Sequence, residues 1–210
     1  MNKTTRVLIV DDHVMVREGL AQIIASDPDL VLVGMAATGV EALELYRQHQ
    51  PDVVTMDYKL PGQSGVECTA AICHEFPNAR VILLSILEGD EDIWRATQAG
   101  AVGYVSKTVG ITDVLAAIRL VAQGKPYFSA GLAEKIARRT PGNTLSAREF
   151  DVLREVVLGR SNKEIADKLR VSPTRVKRVI EQIFEKLNVA DRTQATTVAI
   201  QRGIVHLDEL

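Results

Sequence analysis

An aspartate at position 57 ends the β-forming run Val53-Val54-Thr55-Met56, and a Pro61-Gly62 turn follows shortly after. This pattern predicts a carboxylate at the C-terminal end of a buried parallel strand, where open α/β sheets present their reactive groups. Polar residues follow other apolar runs in the same way. Asp11 and Asp12 come after Val7–Val10, Ser85 after Val81–Leu84, and Lys107 after Tyr104–Val105. If these ends share one sheet edge, three carboxylates converge there and repel one another unless a cation shares the site. The donors are hard oxygens with no thiolate or imidazole among them, which favours Mg²⁺ over zinc or copper. A partly hydrated ion leaves room for a phosphoryl oxygen. Lys107 then serves a second oxygen as a point charge and the Ser85 hydroxyl a third.

The elements that must position these groups are legible from periodicity. A further apolar run lies at Val31–Val33, which makes five. Between the runs lie helical spacings: Val16, Leu20, Ile23 and Ile24, then Val40, Leu43 and Tyr46, then Val66, Ala70 and Cys73, then Val114, Ile118 and Val121. Strand and helix alternate five times, which predicts a five-stranded parallel sheet between helices over residues 1–123. Taken singly, Asp11, Asp12 and Asp57 are ordinary turn formers, Ser85 a capping hydroxyl and Lys107 a solvated lysine. Their joint placement at four strand ends is what favours the chemical reading.

A second constellation lies near the C-terminus. Between residues 160 and 178 stand Arg160, Lys163, Lys168, Arg170, Arg175, Lys177 and Arg178, against only Glu164 and Asp167. Ser146 and Glu149 form a capping-box pattern, and Gly159 stops the helix that follows. A short helix is expected over 162–169. A longer one is capped by Ser172 with Pro173 in its first position, and Val176, Ile180, Ile183 and Leu187 form its inward stripe. Asp191 caps a fourth. Two short helices joined by a tight turn, the second longer and basic, suggest a helix-turn-helix DNA reader. Thr174, Arg175, Lys177, Arg178 and Glu181 are the candidate contacts of the longer helix, with Lys163 on the preceding one. Arg178 has the chemistry to read guanine and Glu181 to accept from cytosine.

Composition agrees with two soluble domains that have different partners. The 210 residues are 46% hydrophobic and 25% charged. Residues 1–123 hold 9 Lys+Arg against 16 Asp+Glu, whereas residues 145–210 hold 12 against 10. No apolar run reaches the length of a membrane span and no signal-peptide core is present, so a cytoplasmic protein is expected. Cys68 and Cys73 form no CxxC pair, and Cys73 is expected to pack as a small hydrophobe. His13, His49, His74 and His206 make no metal spacing and read as surface or packing residues. Residues 124–144 form a connector: Gly124-Lys125-Pro126 ends the fifth helix, 132–139 can form a short amphipathic helix, and 140–143 read as a turn.

These motifs carry a resemblance. Asp11-Asp12-His13, Met56-Asp57-Tyr58-Lys59-Leu60-Pro61-Gly62 with Gly65, Leu84-Ser85, and Gly103-Tyr104-Val105-Ser106-Lys107 resemble the receiver domain of two-component response regulators. The resemblance implies a flavodoxin-like, doubly wound sheet of order 2-1-3-4-5. It further implies Asp57 as phosphoacceptor from a sensor histidine kinase, and Asp12 and Asp57 as Mg²⁺ ligands with the backbone carbonyl of Lys59. Asp11 would act through the metal's waters, Lys107 and Ser85 would hold the phosphoryl group, and Tyr104 would be an aromatic switch. Leu145-Ser146-Ala147-Arg148-Glu149, Gly159-Arg160-Ser161-Asn162-Lys163-Glu164-Ile165-Ala166 and Arg192-Thr193-Gln194-Ala195 resemble the LuxR-type helix-turn-helix of the NarL/FixJ regulators. That resemblance implies promoter binding as a homodimer. Val179 stands where that family usually has histidine, and Glu181 where a basic or neutral polar residue is usual. These departures motivate an alternative, a receiver-controlled regulator that acts mainly through protein contacts.

Enzymatic readings fit less well. An aspartate-nucleophile phosphatase needs an acidic residue where Lys59 stands, and a dinucleotide-binding fold needs a G-x-G-x-x-G loop where Asp11-Asp12-His13 stands.

Overall fold

The computed structural model describes residues 4–86, 89–128, 131 and 145–207. Two compact units are distinguished, one of residues 1–88 and 93–133, the other of residues 89–92 and 134–210. The connector helix and turn expected over 132–143 lie outside the described residues.

In the first unit strands and helices alternate. The order is β1 (Thr5–Val10), α1 (Val14–Ala25), β2 (Leu30–Ala36), α2 (Gly39–His49), β3 (Val53–Asp57), α3 (Gly65–Glu75) and β4 (Val81–Ser85). Then follow α4 (Asp90–Gln98), whose first residues group with the second unit, β5 (Gly103–Ser106), α5 (Ile111–Ala122) and β6 (Tyr127–Phe128). Every strand pairing is parallel and the order is β2-β1-β3-β4-β5-β6. The expected order therefore holds, with a two-residue strand added outside β5. Gly124 turns the chain with a φ of 79° after α5, and the Tyr127 N–H then donates to the Val102 carbonyl. No apolar run announces so short a strand.

β3, β4 and β5 are buried along their whole length, as a sheet covered on both faces requires. On one face Val7, Ile9, Ile82, Leu84 and Val105 pack with Leu20 and Ile24 of α1 and Ile118 and Val121 of α5. Each such fully buried side chain stabilises the fold by about 1.5–3 kcal/mol.

Two helices sit in a different rotation from the one their spacing predicts. Val40, on the apolar stripe of α2 by spacing, is 67% exposed, while Ala42 and Tyr46 are buried. In α3 the buried residues are Gly65, Cys68, Thr69 and Ile72 rather than Val66, Ala70 and Cys73. The rotation of α3 is fixed where it begins. A Cβ on Gly65 would lie 1.8 Å from the Asp57 carbonyl oxygen, so the helix presents its one residue without a side chain to the strand end. Cys68 is thus the buried thiol, its pKa pushed up to about 11 by burial, and Cys73 is half-buried.

The second unit holds α6 (Ala147–Val157), α7 (Asn162–Leu169), α8 (Pro173–Leu187) and α9 (Arg192–Gln201). Ser146 and Glu149 form the expected capping box, Ser172 caps α8 with Pro173 at its start, and Asp191 caps α9. Val176, Ile180, Ile183 and Leu187 are buried against Val152, Leu153 and Val156 of α6 and Ile165 of α7. α8 has the buried stripe that its spacing predicts because its apolar residues recur without interruption and every other position after Pro173 is polar, Val179 and Phe184 excepted.

Candidate phosphoryl site and nucleic-acid face

The parallel register brings the C-terminal ends of β1, β3, β4 and β5 to one edge. Asp11 follows β1 and is fully buried, Asp57 ends β3 and Ser85 ends β4, both buried, and Lys107 follows β5. The backbone completes the edge, since the Tyr58 N–H donates to the Leu84 carbonyl at 2.9 Å and the Lys107 N–H to the Ser85 carbonyl at 2.7 Å.

Lys107 reaches back over this edge. Its Nζ donates to Asp11 Oδ2 at 2.7 Å and stands 2.8 Å from Asp57 Oδ2. The Lys59 N–H approaches Asp57 Oδ1 at 3.3 Å. Burial raises the Asp57 pKa above its ordinary value, Lys107 pulls it down, and the Asp11 carboxylate adds to the rise, which prevails. For Lys107, burial works against the charge, but hydrogen bonds to Asp11 and Asp57 hold its pKa above the usual lysine value. Asp57, Ser85 and Lys107 line one pocket of about 240 Å³ with His13, Val16, Tyr58, Lys59 and Ile86. Ile86 is 67% exposed. Tyr104 is fully buried, with its ring edge-on to Tyr58 and the centroids 6.3 Å apart.

Asp11, Asp12, Asp57 and His13 each offer a ligand atom, and these atoms lie within 4.8 Å of one another. Asp12 Oδ1 is shut off from solvent and accepts no hydrogen bond from any described residue, although His13 Nδ1 stands 2.8 Å away. Three carboxylates gathered this closely fit a site built for a cation. His13 was expected at the surface or in packing. It is exposed, yet its imidazole belongs to the cluster, and only its adjacency to Asp12 in the chain hinted at this.

In the second unit, Thr174, Arg175, Lys177, Arg178 and Glu181 are all exposed on α8, on the side away from its buried stripe. Lys177 Nζ is 4.0 Å from Glu181 one turn later. Lys163 is exposed on α7. Two buried carboxylates brace the helices behind this face. Glu155 pairs with Arg160 at 2.8 Å and Lys168 at 2.6 Å, and Glu149 with Lys186 at 2.7 Å. Part of the basic charge seen in the sequence therefore serves the fold.

Two family models match the chain. Residues 7–119 match the family model of the response regulator receiver domain, and residues 143–199 that of bacterial regulatory proteins of the luxR family. The chain is 35% identical to the transcriptional regulatory protein LiaR of Bacillus subtilis over 96% of this chain and 99% of the relative. It is 36% identical to the response regulator GacA of Pseudomonas viridiflava over 95% and 97%. Among solved structures, a LuxR-family two-component response regulator from Aurantimonas sp. SI85-9A1 is 37% identical over 64% of this chain and 96% of its own, with a TM-score of 0.62. RcsB of Salmonella enterica serovar Typhimurium, solved on promoter DNA with a phosphomimetic, shares the fold at a TM-score of 0.73 over 95% and 99% of the two chains, at 22% identity.

Proposed function

The chain belongs to the NarL/FixJ family of two-component response regulators, a receiver followed by a LuxR-type helix-turn-helix, and from that premise we propose that Asp57 is the phosphoacceptor through which it is controlled. It is a receiver-controlled, DNA-binding transcriptional regulator whose only chemistry is that of the receiver's phospho-aspartate. Its family implies a kinase partner. On our reading residues 1–123 form the receiver, 124–144 the connector and 145–210 the DNA-binding domain.

The observation that carries the assignment is Lys107 bridging Asp11 and Asp57 at the sheet edge. Asp57 takes a phosphoryl group from the histidine of a sensor kinase. Its carboxylate oxygen forms the new P–O bond in line with the breaking P–N bond. Lys107 meets one phosphoryl oxygen and the Ser85 hydroxyl another. Asp12, Asp57 and the Lys59 carbonyl would hold Mg²⁺, with Asp11 behind its waters. The ion, when bound, offsets the negative charge that gathers on the phosphoryl oxygens. Ile86 at the pocket wall narrows access for small phosphodonors relative to a docked protein.

The new charge at Asp57 draws Ser85 inward, and Tyr104, whose ring is fully buried here, is the aromatic switch that carries the change to the surface of α4, β5 and α5. The outcome is DNA binding as a homodimer, with promoter DNA read by Thr174, Arg175, Lys177, Arg178 and Glu181 of α8 and contacted by Lys163 of α7. No described helix is long and apolar enough to cross a membrane, and we place the protein in the cytoplasm. The reading in which α8 binds DNA weakly and the protein acts through protein contacts rests on Glu181 and Val179.

A titration of genomic DNA fragments separates the two readings. It compares the unmodified protein, the protein with a phosphoryl mimic, and Asp57→Ala. Tighter binding only with the mimic on an intact Asp57 supports the proposal. Equal binding in all three removes the switch, and no binding in any favours the protein-contact reading.

A further inference from the structure

The N-terminal ends of α6 and α8 border one surface groove of about 540 Å³. Arg148 of α6 lines it together with Arg175, Arg178 and Gln182 of α8, and all four side chains are exposed. The groove's one carboxylate, Glu149, is engaged by Lys186 at 2.7 Å and accepts from the Ser146 N–H at 2.7 Å. The three arginines form no ion pair among the described residues. The groove is therefore a cationic channel.

Its position relative to α8 gives it a purpose. Arg175, Arg178 and Gln182 recur at i, i+3 and i+7. That stripe adjoins the one made by Thr174, Lys177, Arg178 and Glu181, which lies opposite the buried Val176, Ile180, Ile183 and Leu187. The groove thus follows one shoulder of the helix whose crest is proposed to read bases. A helix with its side chains is about 10–12 Å across, and the DNA major groove is about 12 Å wide. A helix seated there presses its shoulders against the two phosphate backbones.

We infer that this groove seats one phosphodiester backbone of the bound duplex, and that Arg148, outside the recognition helix, is a positioning contact to its phosphates. The inference rests on the proposed reading face of α8 and extends it to a residue of another helix. A guanidinium takes two phosphate oxygens in a fork, which fixes the angle at which α8 enters the groove. Such a contact carries no sequence information of its own.

Full-length protein carrying the phosphoryl mimic is titrated over a salt series with two duplexes of equal length, a fragment captured from genomic DNA and a random sequence. Arg148→Ala is expected to weaken both by the same factor, about three- to tenfold at low salt, and to lower the slope of log affinity against log salt by about 0.9. Arg148→Lys recovers the slope because it keeps the charge. Arg148 is exposed, so both variants are expected to melt as the parent does. An unchanged slope in Arg148→Ala would take the groove out of the interface. A loss confined to the captured fragment would make Arg148 a base reader. Either result overturns the inference while leaving the DNA-binding reading intact. Failure of the parent protein with the mimic to bind either duplex would overturn both.

Discussion

Lys107 Nζ stands 2.8 Å from Asp57 Oδ2, although the two residues are separated by two complete β-α units of the chain. The same ammonium reaches Asp11 at 2.7 Å, so one cation holds together two buried carboxylates that would otherwise repel. Charge at this edge is therefore shared, and each substitution below disturbs more than the residue replaced.

Removing that cation should cripple phosphoryl uptake without abolishing it. Lys107→Ala is expected to slow labelling by about 10²–10³, the usual cost of deleting one preorganised electrostatic partner. Asp57→Asn is expected to carry no acid-stable or base-labile label at all. Phosphate-affinity gels after incubation with a partner kinase or a small acyl phosphate read both. Label persisting in Asp57→Asn would move the acceptor elsewhere.

Mg²⁺ binding is expected to depend on Asp12, whose carboxylate lies in the cluster with Asp11 and Asp57 and has only the exposed His13 imidazole, 2.8 Å away, beside its Oδ1. Calorimetric titration should show a Mg²⁺ site in the parent that is lost in Asp12→Ala. Chelation of the ion should stop labelling at Asp57. Undiminished Mg²⁺ binding by Asp12→Ala would place the ion away from this cluster.

Gly65→Ala tests how α3 is held to the strand end. The added methyl would meet the Asp57 carbonyl oxygen at 1.8 Å and Leu83 Cδ2 at 3.2 Å, so backbone has to move. A loss of about 3 kcal/mol or more is expected, in the range reserved for core overpacking and backbone conflict. Phosphoryl uptake should fall with it, because the displaced atom belongs to Asp57. Gly62→Ala, at a φ of 75° with open space around it, should cost only about 1 kcal/mol. Denaturant unfolding of the two variants gives the comparison.

Glu149 makes part of the stability of the helix-turn-helix unit pH-dependent. Burial works to raise its pKa, but the Lys186 and Ser146 hydrogen bonds outweigh that and hold it below the ordinary carboxylate value. A carboxyl lowered on folding contributes in full above its unfolded pKa of about 4.3, and that contribution is lost as pH falls through the lower folded value. Glu149→Gln is expected to cost about 2 kcal/mol at neutral pH and to flatten the acid limb of the stability profile. Chemical unfolding from pH 7 to pH 3 checks both. An acid limb as steep as the parent's would show that Glu149 plays no part.

On α8, Lys177→Ala with Arg178→Ala is expected to reduce the salt slope of DNA binding by about 2. Glu181→Gln should act in the opposite direction on random DNA, tightening it by a few-fold, because a charge that repels phosphates and draws on Lys177 at 4.0 Å is removed. Discrimination between a captured fragment and random sequence should fall in the same variant if Glu181 reads cytosine. Filter binding over a salt series measures all of these, and unchanged discrimination would leave Glu181 a bystander.

How much of this was visible beforehand depended on whether a residue's placement is a local matter. The alternation of apolar runs with helical spacings, the caps at Ser146, Ser172 and Asp191, and the inward stripe of α8 follow from neighbours along the chain, so the sequence alone determined them, whereas the strand order was implied only by the family resemblance. The sequence also placed Asp11, Asp12, Asp57, Ser85 and Lys107 at strand ends, because parallel connections leave those ends at one edge. The tertiary structure decided what depends on contact between distant segments. α3 turned Cys68 inward instead of Cys73 because only Gly65 lets the helix approach the Asp57 carbonyl. His13 entered the acidic cluster through the path of the backbone after β1, and β6 formed because the exit from α5 runs beside β5. The arginine groove was equally invisible, since Arg148 and Arg175 lie on helices whose packing against each other no periodicity reports.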